Sequence, residues 1–202
     1  MATSAPSEST ATRDHILANG QQIMARKGFS AVGLNEILKA AGVPKGSFYH
    51  YFGSKEVFGE ALLDSYFQDY LAELDETLRL PGLNMAQRLT IYFQQWQQNQ
   101  SVLECQGKCL AVKLGAEVAD LSEAMRLALD RGTAEIIRRL AKAIKAGVAE
   151  GSISIGSNTS DRVAQSLYQL WLGASIMVKI VRHASPFKAA MTTTRQILQT
   201  RP

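Results

Sequence analysis

Apolar residues recur at intervals of three and four along most of this chain, which is the spacing that an amphipathic α-helix requires. The stretch between Pro81 and Pro186 contains no further proline, and it lacks the Asn-Gly and Asp-Gly turns that join β-hairpins. The pattern therefore predicts an all-α fold. The predicted helices span residues 12–27, 34–41, 45–51, 55–79, 84–99, 108–118, 122–149, 159–183 and 187–199.

The predicted helices fall into two groups that differ in length. The short N-terminal ones are joined by the glycine-containing segments 28–33 and 42–44, whereas most of the later ones are long. This change predicts a small N-terminal domain on a larger helical one. We call residues 1–54 the head and residues 55–202 the body, and we expect residues 1–11 of the head to be disordered.

The composition is that of a folded protein and leaves the kind of partner open. The chain has 202 residues, of which 46% are hydrophobic and 20% are charged, a mixture typical of globular domains. Its formal net charge of +4 permits a nucleic-acid partner without requiring one.

The chain carries no sequence signal for a membrane or for secretion. Its longest apolar or small run, residues 170–178, is far shorter than the roughly 20 residues that cross a bilayer. The N-terminus lacks the cationic start and apolar stretch of a secretion signal, so we expect a cytoplasmic protein with no membrane partner. Cys105 and Cys109 are too few for a disulfide framework and lack the companions of a zinc site. We expect free thiols, no metal and no cofactor.

Residues 34–52 follow a helix-turn-helix pattern. The first helix ends at Gly42, which suits a left-handed C-terminal cap, and Pro44 precedes the second helix. In the second helix Phe48 and Phe52 are four residues apart and predict a packing face, while the remaining face suits phosphate and base-edge contacts in a DNA groove. Two short helices joined by a glycine also occur in proteins that do not bind DNA. The predicted DNA-contacting residues are Asn35, Lys45, Gly46, Ser47, Tyr49, His50 and Lys55.

The string Gly42-Val-Pro-Lys-Gly-Ser-Phe-Tyr-His-Tyr-Phe-Gly-Ser-Lys-Glu-Val-Phe58 resembles the DNA-binding segment of the TetR family of bacterial repressors. Gly28-Phe29 and residues 34–41 fit the same family, so the resemblance covers residues 12–60. It implies an all-helical homodimer whose paired heads bind a palindromic double-stranded operator and release it when an effector enters the body. Gly33 departs from the pattern, because many members have a Thr there that caps the helix and contacts phosphate.

The predicted helix 159–183 is apolar on nearly all sides, which predicts burial on two sides. One side suits the core, and the other, with Tyr168, Leu172 and Ile176, suits a partner chain. We expect this helix and the last one to form the interface of a homodimer. The alternative is a monomer in which this is an ordinary buried helix.

Cys109 and Lys179 are candidate sensor residues. Cys109 falls in the first turn of a predicted helix, where exposed N–H groups favour a thiolate, although most cysteines are simply small buried side chains. Lys179 lies among apolar residues, so its ammonium either reaches solvent at the helix end or is buried with a lowered pKa beside a partner such as Cys109.

The string Gly107-Lys-Cys109-Leu-Ala-Val-Lys-Leu-Gly-Ala-Glu-Val-Ala-Asp120, together with residues 170–180, resembles the NemR-like subgroup of the same family. That resemblance implies repression of genes that detoxify reactive electrophiles, with Cys109 as the sensor and Lys179 beside it. It assigns no role to Cys105.

Three functions are compatible with the sequence to different degrees. The first is a homodimeric repressor released from DNA when a small electrophile or oxidant modifies Cys109. The second is a repressor released by a noncovalent ligand in a pocket lined by Tyr92, Trp96 and Trp171. The third is a thiol-dependent enzyme, which the sequence disfavours because no histidine is placed to activate Cys109 and no other catalytic spacing appears.

Overall fold

The computed structural model describes residues 8–100 and 110–199, and every regular element within these ranges is an α-helix. The helices are α1 (Glu8–Lys27), α2 (Leu34–Ala41), α3 (Lys45–Phe52), α4 (Lys55–Leu78), α5 (Met85–Asn99), α6 (Leu110–Leu121), α7 (Glu123–Ala149), α8 (Ser160–Val181) and α9 (Ser185–Leu198). Each predicted helix is present. Helix α1 begins at Glu8, ahead of its predicted start at position 12, so residues 8–11 are helical rather than disordered.

Short polar side chains fix the beginnings of several long helices. The side chain of Asn84 accepts a hydrogen bond from the backbone N–H of Gln87, and the side chain of Gln87 bonds back to the backbone N–H of Asn84, which forms a capping box at α5. The hydroxyls of Ser54, Ser122 and Thr159 accept a backbone N–H at the starts of α4, α7 and α8. These caps explain why the starts of α4, α5, α7 and α8 were predicted to within one residue.

The head is packed around aromatic rings that extend into the first turns of α4. The rings of Phe48 and Phe52 on α3 each lie about 5 Å from the ring of Phe58 on α4, at centroid distances of 5.2 and 5.0 Å. Gly20 on α1 leaves room for Phe58, since a Cβ there would be 2.3 Å from the Phe58 ring. Helices α1 and α3 are therefore packed against the N-terminal end of α4, and α2 packs against α1 and α3.

The body is a helical bundle in which α7 packs against α4, α5, α6 and α8, and α8 packs in turn against α9. Gly132 on α7 allows close approach to α4, because a Cβ at this position would lie 2.2 Å from the ring of Phe67. Within the described ranges, no helix combines the length and apolar character needed to cross a bilayer.

Candidate nucleic-acid interface and sensor region

Helix α3 has a buried apolar side and an exposed polar side. Phe48 and Phe52 are 0% and 3% exposed, whereas Tyr49 is 46% exposed. Lys45, Gly46 and His50 are also exposed, and Ser47 is half-buried. The Lys45 ammonium lies 5.7 Å from the centroid of the Tyr49 ring, which places a cation and an aromatic hydroxyl on one surface. That surface can donate to phosphate oxygens and to base edges.

The turn before α3 has the geometry that its sequence predicts. Gly42 adopts a left-handed conformation with φ of 63°, and the Val43 N–H donates to the Leu38 carbonyl at 3.1 Å, closing the end of α2. Pro44 is the N-cap of α3. Gly33 is the N-cap of α2 without a side-chain hydrogen bond, and Asn35 is exposed in the first turn of that helix.

Lys55 has an intramolecular partner that the sequence did not indicate. Its ammonium donates to the backbone carbonyl of Phe29 at 2.8 Å and lies 4.4 Å from the centroid of the Phe29 ring. The side chain is half-buried at the start of α4. Lys55 therefore binds the loop between α1 and α2. Its contact with a DNA phosphate stays a prediction.

Glu117 on α6 is a second residue at this loop, and sequence analysis missed it. One carboxylate oxygen accepts the N–H of Phe29 at 3.0 Å and the other accepts the N–H of Ser30 at 2.6 Å. Partial burial raises the pKa of Glu117, but hydrogen bonds from Ser30 and Phe29 and the charge of Lys113 outweigh it and keep the pKa below its ordinary value. The carboxylate is therefore ionised at neutral pH.

The sensor prediction is only partly within the described residues. Cys105 and Cys109 both lie outside them. Leu110, which follows Cys109 in the sequence, begins α6 and is fully buried. Lys179 lies in the last turn of α8 and is half-buried. The predicted proximity of Cys109 and Lys179 stays a prediction.

A cleft of about 870 Å³ lies among α1, α4 and α5, and it includes two of the three predicted pocket residues. Tyr92 and Trp96 line it, and the Tyr92 hydroxyl shares a 2.8 Å hydrogen bond with the hydroxyl of Tyr70. Trp171 does not line this cleft, so that prediction was wrong. Its side chain is 0% exposed, and its indole N–H donates to the hydroxyl of Thr194 at 2.9 Å.

The predicted dimer face on α8 also needs one correction. Tyr168 is 3% exposed, with its ring 5.6 Å from Trp96, so it belongs to the core of the protomer and has no surface for a partner. Leu172 is half-buried and Ile176 is 50% exposed. Two further apolar side chains of α8 are uncovered, Met177 at 45% and Ile180 at 66%. We call Leu172, Ile176, Met177 and Ile180 the apolar face of α8.

A helix-turn-helix with an exposed polar second helix, carried by an all-helical body, is the arrangement of a DNA-binding transcriptional regulator. The chain belongs to the TetR family. Residues 16–62 match the model described as bacterial regulatory proteins, tetR family, and residues 86–194 match the tetracyclin repressor-like C-terminal domain. The family predicted from the sequence is thereby confirmed.

Individual relatives match nearly the full length of the chain. It is 41% identical over 189 residues to the HTH-type transcriptional repressor NemR of Escherichia coli (strain K12), with 94% of both proteins covered. It is 32% identical to the HTH-type transcriptional repressor DhaR of Mycobacterium sp. (strain GP1), covering 94% of this chain and 93% of DhaR. The crystal structure of reduced E. coli NemR matches with a TM-score of 0.89 and 42% identity, covering 95% of this chain and 98% of that one. The predicted likeness to NemR is confirmed, and these relatives are regulators rather than enzymes.

Proposed function

We propose that this protein is a homodimeric transcriptional repressor that leaves its operator when an electrophile or oxidant modifies Cys109. The observation that carries the DNA-binding part is the exposed polar side of α3 above the buried Phe48 and Phe52. The likeness to NemR supports the repressor assignment, since that relative is a transcriptional repressor and the match covers 94% of both proteins.

In this proposal α3 enters the major groove of double-stranded DNA. Lys45, Ser47, Tyr49 and His50 contact phosphates and base edges, and Gly46 allows the helix to approach closely. Successive major grooves on one side of the duplex are about 34 Å apart, so two copies of α3 must lie at that spacing. A twofold dimer built on the apolar face of α8 would present the two copies together. A palindromic operator fits this symmetry.

Cys109 acts as the sensor through ordinary thiolate chemistry. The sulfur attacks the electron-poor carbon of an activated alkene, a C–S bond forms, and the displaced π electrons take up a proton at the neighbouring carbon. The position of Cys109 supports this role because it directly precedes α6, and exposed N–H groups at a helix start favour the thiolate. Leu110 and Leu114 of α6 are buried, so we expect an adduct on the residue before the helix to displace α6.

The arrangement described above then belongs to the unmodified protein. The protein resembles the crystal structure of reduced E. coli NemR, with a TM-score of 0.89. We take this arrangement as the one that binds the operator.

The sensing step is tested by comparing Cys109→Ser with Cys105→Ser in a gel shift on the DNA upstream of the protein's own gene. We expect N-ethylmaleimide to release the wild type and Cys105→Ser but not Cys109→Ser, with all three binding equally before treatment. An undiminished response of Cys109→Ser would overturn the covalent mechanism.

The cleft among α1, α4 and α5 favours a second candidate, a noncovalent inducer that binds beside Tyr92 and Trp96. Its volume of about 870 Å³ is within the range of small-molecule sites. Mass spectrometry of the released protein separates the two mechanisms. A covalent inducer adds its mass at Cys109, whereas a ligand in the cleft releases Cys109→Ser as well and leaves the mass of the protein unchanged.

A further inference from the structure

The loop between α1 and α2 is held by side chains from two helices of the body. Glu117 on α6 accepts the backbone N–H groups of Phe29 and Ser30, and Lys55 on α4 donates to the Phe29 carbonyl. Both polar groups of the Phe29 residue are thus bonded to charged side chains, and charge-assisted hydrogen bonds are stronger than neutral ones. The head is connected to α6 across 88 positions of sequence.

The Phe29 side chain is inserted between helices of the body. It is 5% exposed, and a Cβ placed on Gly59 of α4 would lie 2.7 Å from the Phe29 ring and 2.4 Å from the sulfur of Met125 on α7. The ring therefore fills the space beside a glycine on α4 and adjoins α7. The head cannot turn on the body without moving this ring.

The backbone at Gly28 is shaped to admit the carboxylate of Glu117. Gly28 has φ of +92°, a conformation that side chains rarely adopt, and a Cβ there would lie 2.9 Å from a carboxylate oxygen of Glu117. Any larger residue at position 28 would meet both the backbone strain and that oxygen. A glycine at position 28 thus allows the Glu117 carboxylate to approach the backbone of the loop closely.

Helix α6 joins this contact to the segment before it. Glu117 is seven residues after Leu110, a distance of about 10 Å along a helix. Leu110, Leu114 and Val118 are buried along one side of α6, so we expect a displacement at the start of this helix to move its whole length. Hydrogen bonds of 2.6 and 3.0 Å do not survive a displacement of about 1 Å, because their energy falls steeply with distance and angle.

We propose that Glu117 is the positioning residue that couples α6 to the DNA-binding head. Its carboxylate holds residues 28–30 in the arrangement that binds the operator, and a displacement of α6 withdraws it. The inference rests on the proposed function, in that modification before α6 is what displaces the helix. Its effect on the unmodified protein does not depend on how release is triggered.

The first test compares the operator affinities of Glu117→Ala, Glu117→Gln and Asp120→Ala by fluorescence anisotropy. Asp120 is a matched control because it is an exposed acid on the same helix. We expect Glu117→Ala to bind about tenfold more weakly, a size typical of coupling between sites. Glu117→Gln should fall between Glu117→Ala and the wild type because its amide oxygen still accepts one N–H, and Asp120→Ala should match the wild type.

Coupling, as opposed to mere stability, is tested by the response to N-ethylmaleimide. If Glu117 transmits the movement of α6, the ratio of affinities before and after treatment should fall toward one in Glu117→Ala. If Glu117 only stabilises the fold, the variant should melt at a lower temperature while that ratio stays at the wild-type value. The second result would overturn the proposal.

A spectroscopic test uses the wild type alone and so does not depend on whether a variant folds. The Phe29 amide, observed by NMR in protein labelled with ¹⁵N-phenylalanine and assigned with Phe29→Leu, reports its hydrogen bond to the carboxylate. We expect N-ethylmaleimide to shift this signal in the direction seen in Glu117→Ala or Glu117→Gln. An unmoved signal in protein that has left the operator would overturn the proposal.

The two proposals fail differently. If the thiol is not the sensor, Cys109→Ser still responds to the inducer, yet Glu117→Ala still weakens operator binding without any reagent. If Glu117 is not the coupling residue, Cys109→Ser loses the response while Glu117→Ala binds and responds as the wild type does.

Discussion

Lys45 lies exposed in the first turn of α3, with its ammonium 5.7 Å from the centroid of the exposed Tyr49 ring. We expect Lys45→Ala to weaken operator binding and to reduce the salt dependence of log K, because each phosphate contact contributes a slope of about 0.9. The measurement is fluorescence anisotropy at several salt concentrations. Lys145→Ala, which removes an exposed cation from α7, is the control and should change neither quantity. Equal effects of the two variants would contradict the assigned interface.

Glu117 predicts a pH dependence of stability. Its pKa in the folded protein lies below the ordinary value of 4.5, so the carboxylate contributes stability above that pH and loses the contribution as the pH falls through the folded value. The charged groups near it are Lys113 on its own helix and Lys55 on the other side of Phe29. Below about pH 4.5 the wild type should lose more unfolding free energy than Glu117→Gln. Denaturant unfolding from pH 7 to pH 3 measures this, and parallel losses would count against it.

Single residues also show where sequence reasoning reached its limit. Phe48 and Phe52 were placed correctly because a short amphipathic helix has one apolar side. Tyr168 and Trp171 were misplaced because α8 is apolar nearly all round, and periodicity then gives the same signal for the core, a pocket and a partner chain. Glu117 left no signal, since a charged residue on a helix usually faces solvent and its partners are 88 and 87 positions away.

The packing of α4 against α7 depends on a glycine. A Cβ at Gly132 would lie 2.2 Å from the Phe67 ring, whereas a Cβ at Gly115 in the middle of α6 would have no neighbour within 4 Å among the described residues. Both are glycines within helices, so the pair isolates the effect of packing. We expect Gly132→Ala to destabilise the protein by about 1–3 kcal/mol through overpacking. Gly115→Ala should stabilise it by about 0.5–1 kcal/mol through helix propensity.

Denaturant unfolding of the two glycine variants measures these changes. Stabilisation by Gly132→Ala would show that α4 and α7 are not in close contact at this point. The comparison also tests the bundle that positions the head, because α4 carries Phe58 and Lys55 at its N-terminal end.

Helices were the most predictable level of this fold. Short polar caps and left-handed glycines are local signals, and they located the ends of α2, α5 and α7 within a residue or two. The start of α1 was missed because residues 8–11 carry Ser and Thr, which suggested a disordered tail. The contacts between helices were not predictable, because they depend on side chains far apart in sequence.

The apolar face of α8 predicts how two copies of the protein assemble into a dimer. Ile176 and Ile180 are 50% and 66% exposed in the protomer, and such a face is usually covered by a partner. We expect the double change Ile176→Lys and Ile180→Lys to convert the dimer to a monomer, because two charges would have to be buried in the interface. Operator affinity should fall with it, since a single head makes half the contacts.

Sedimentation velocity at micromolar concentration measures the assembly state. Leu121→Lys, which changes an apolar side chain that is 55% exposed on α6, is the control and should leave the dimer intact. A double variant that stayed dimeric would place the interface elsewhere.

In the proposed function α3, presented twice by a dimer, recognises a specific operator sequence. Titration of the protein into a labelled duplex carrying the DNA upstream of its own gene, against an unrelated duplex of equal length, measures this recognition. We expect saturation at two protomers per site and a preference for the upstream duplex of at least about 10³, the lower end for specific DNA-binding proteins. Equal affinity for the two duplexes would show that α3 does not recognise a specific sequence.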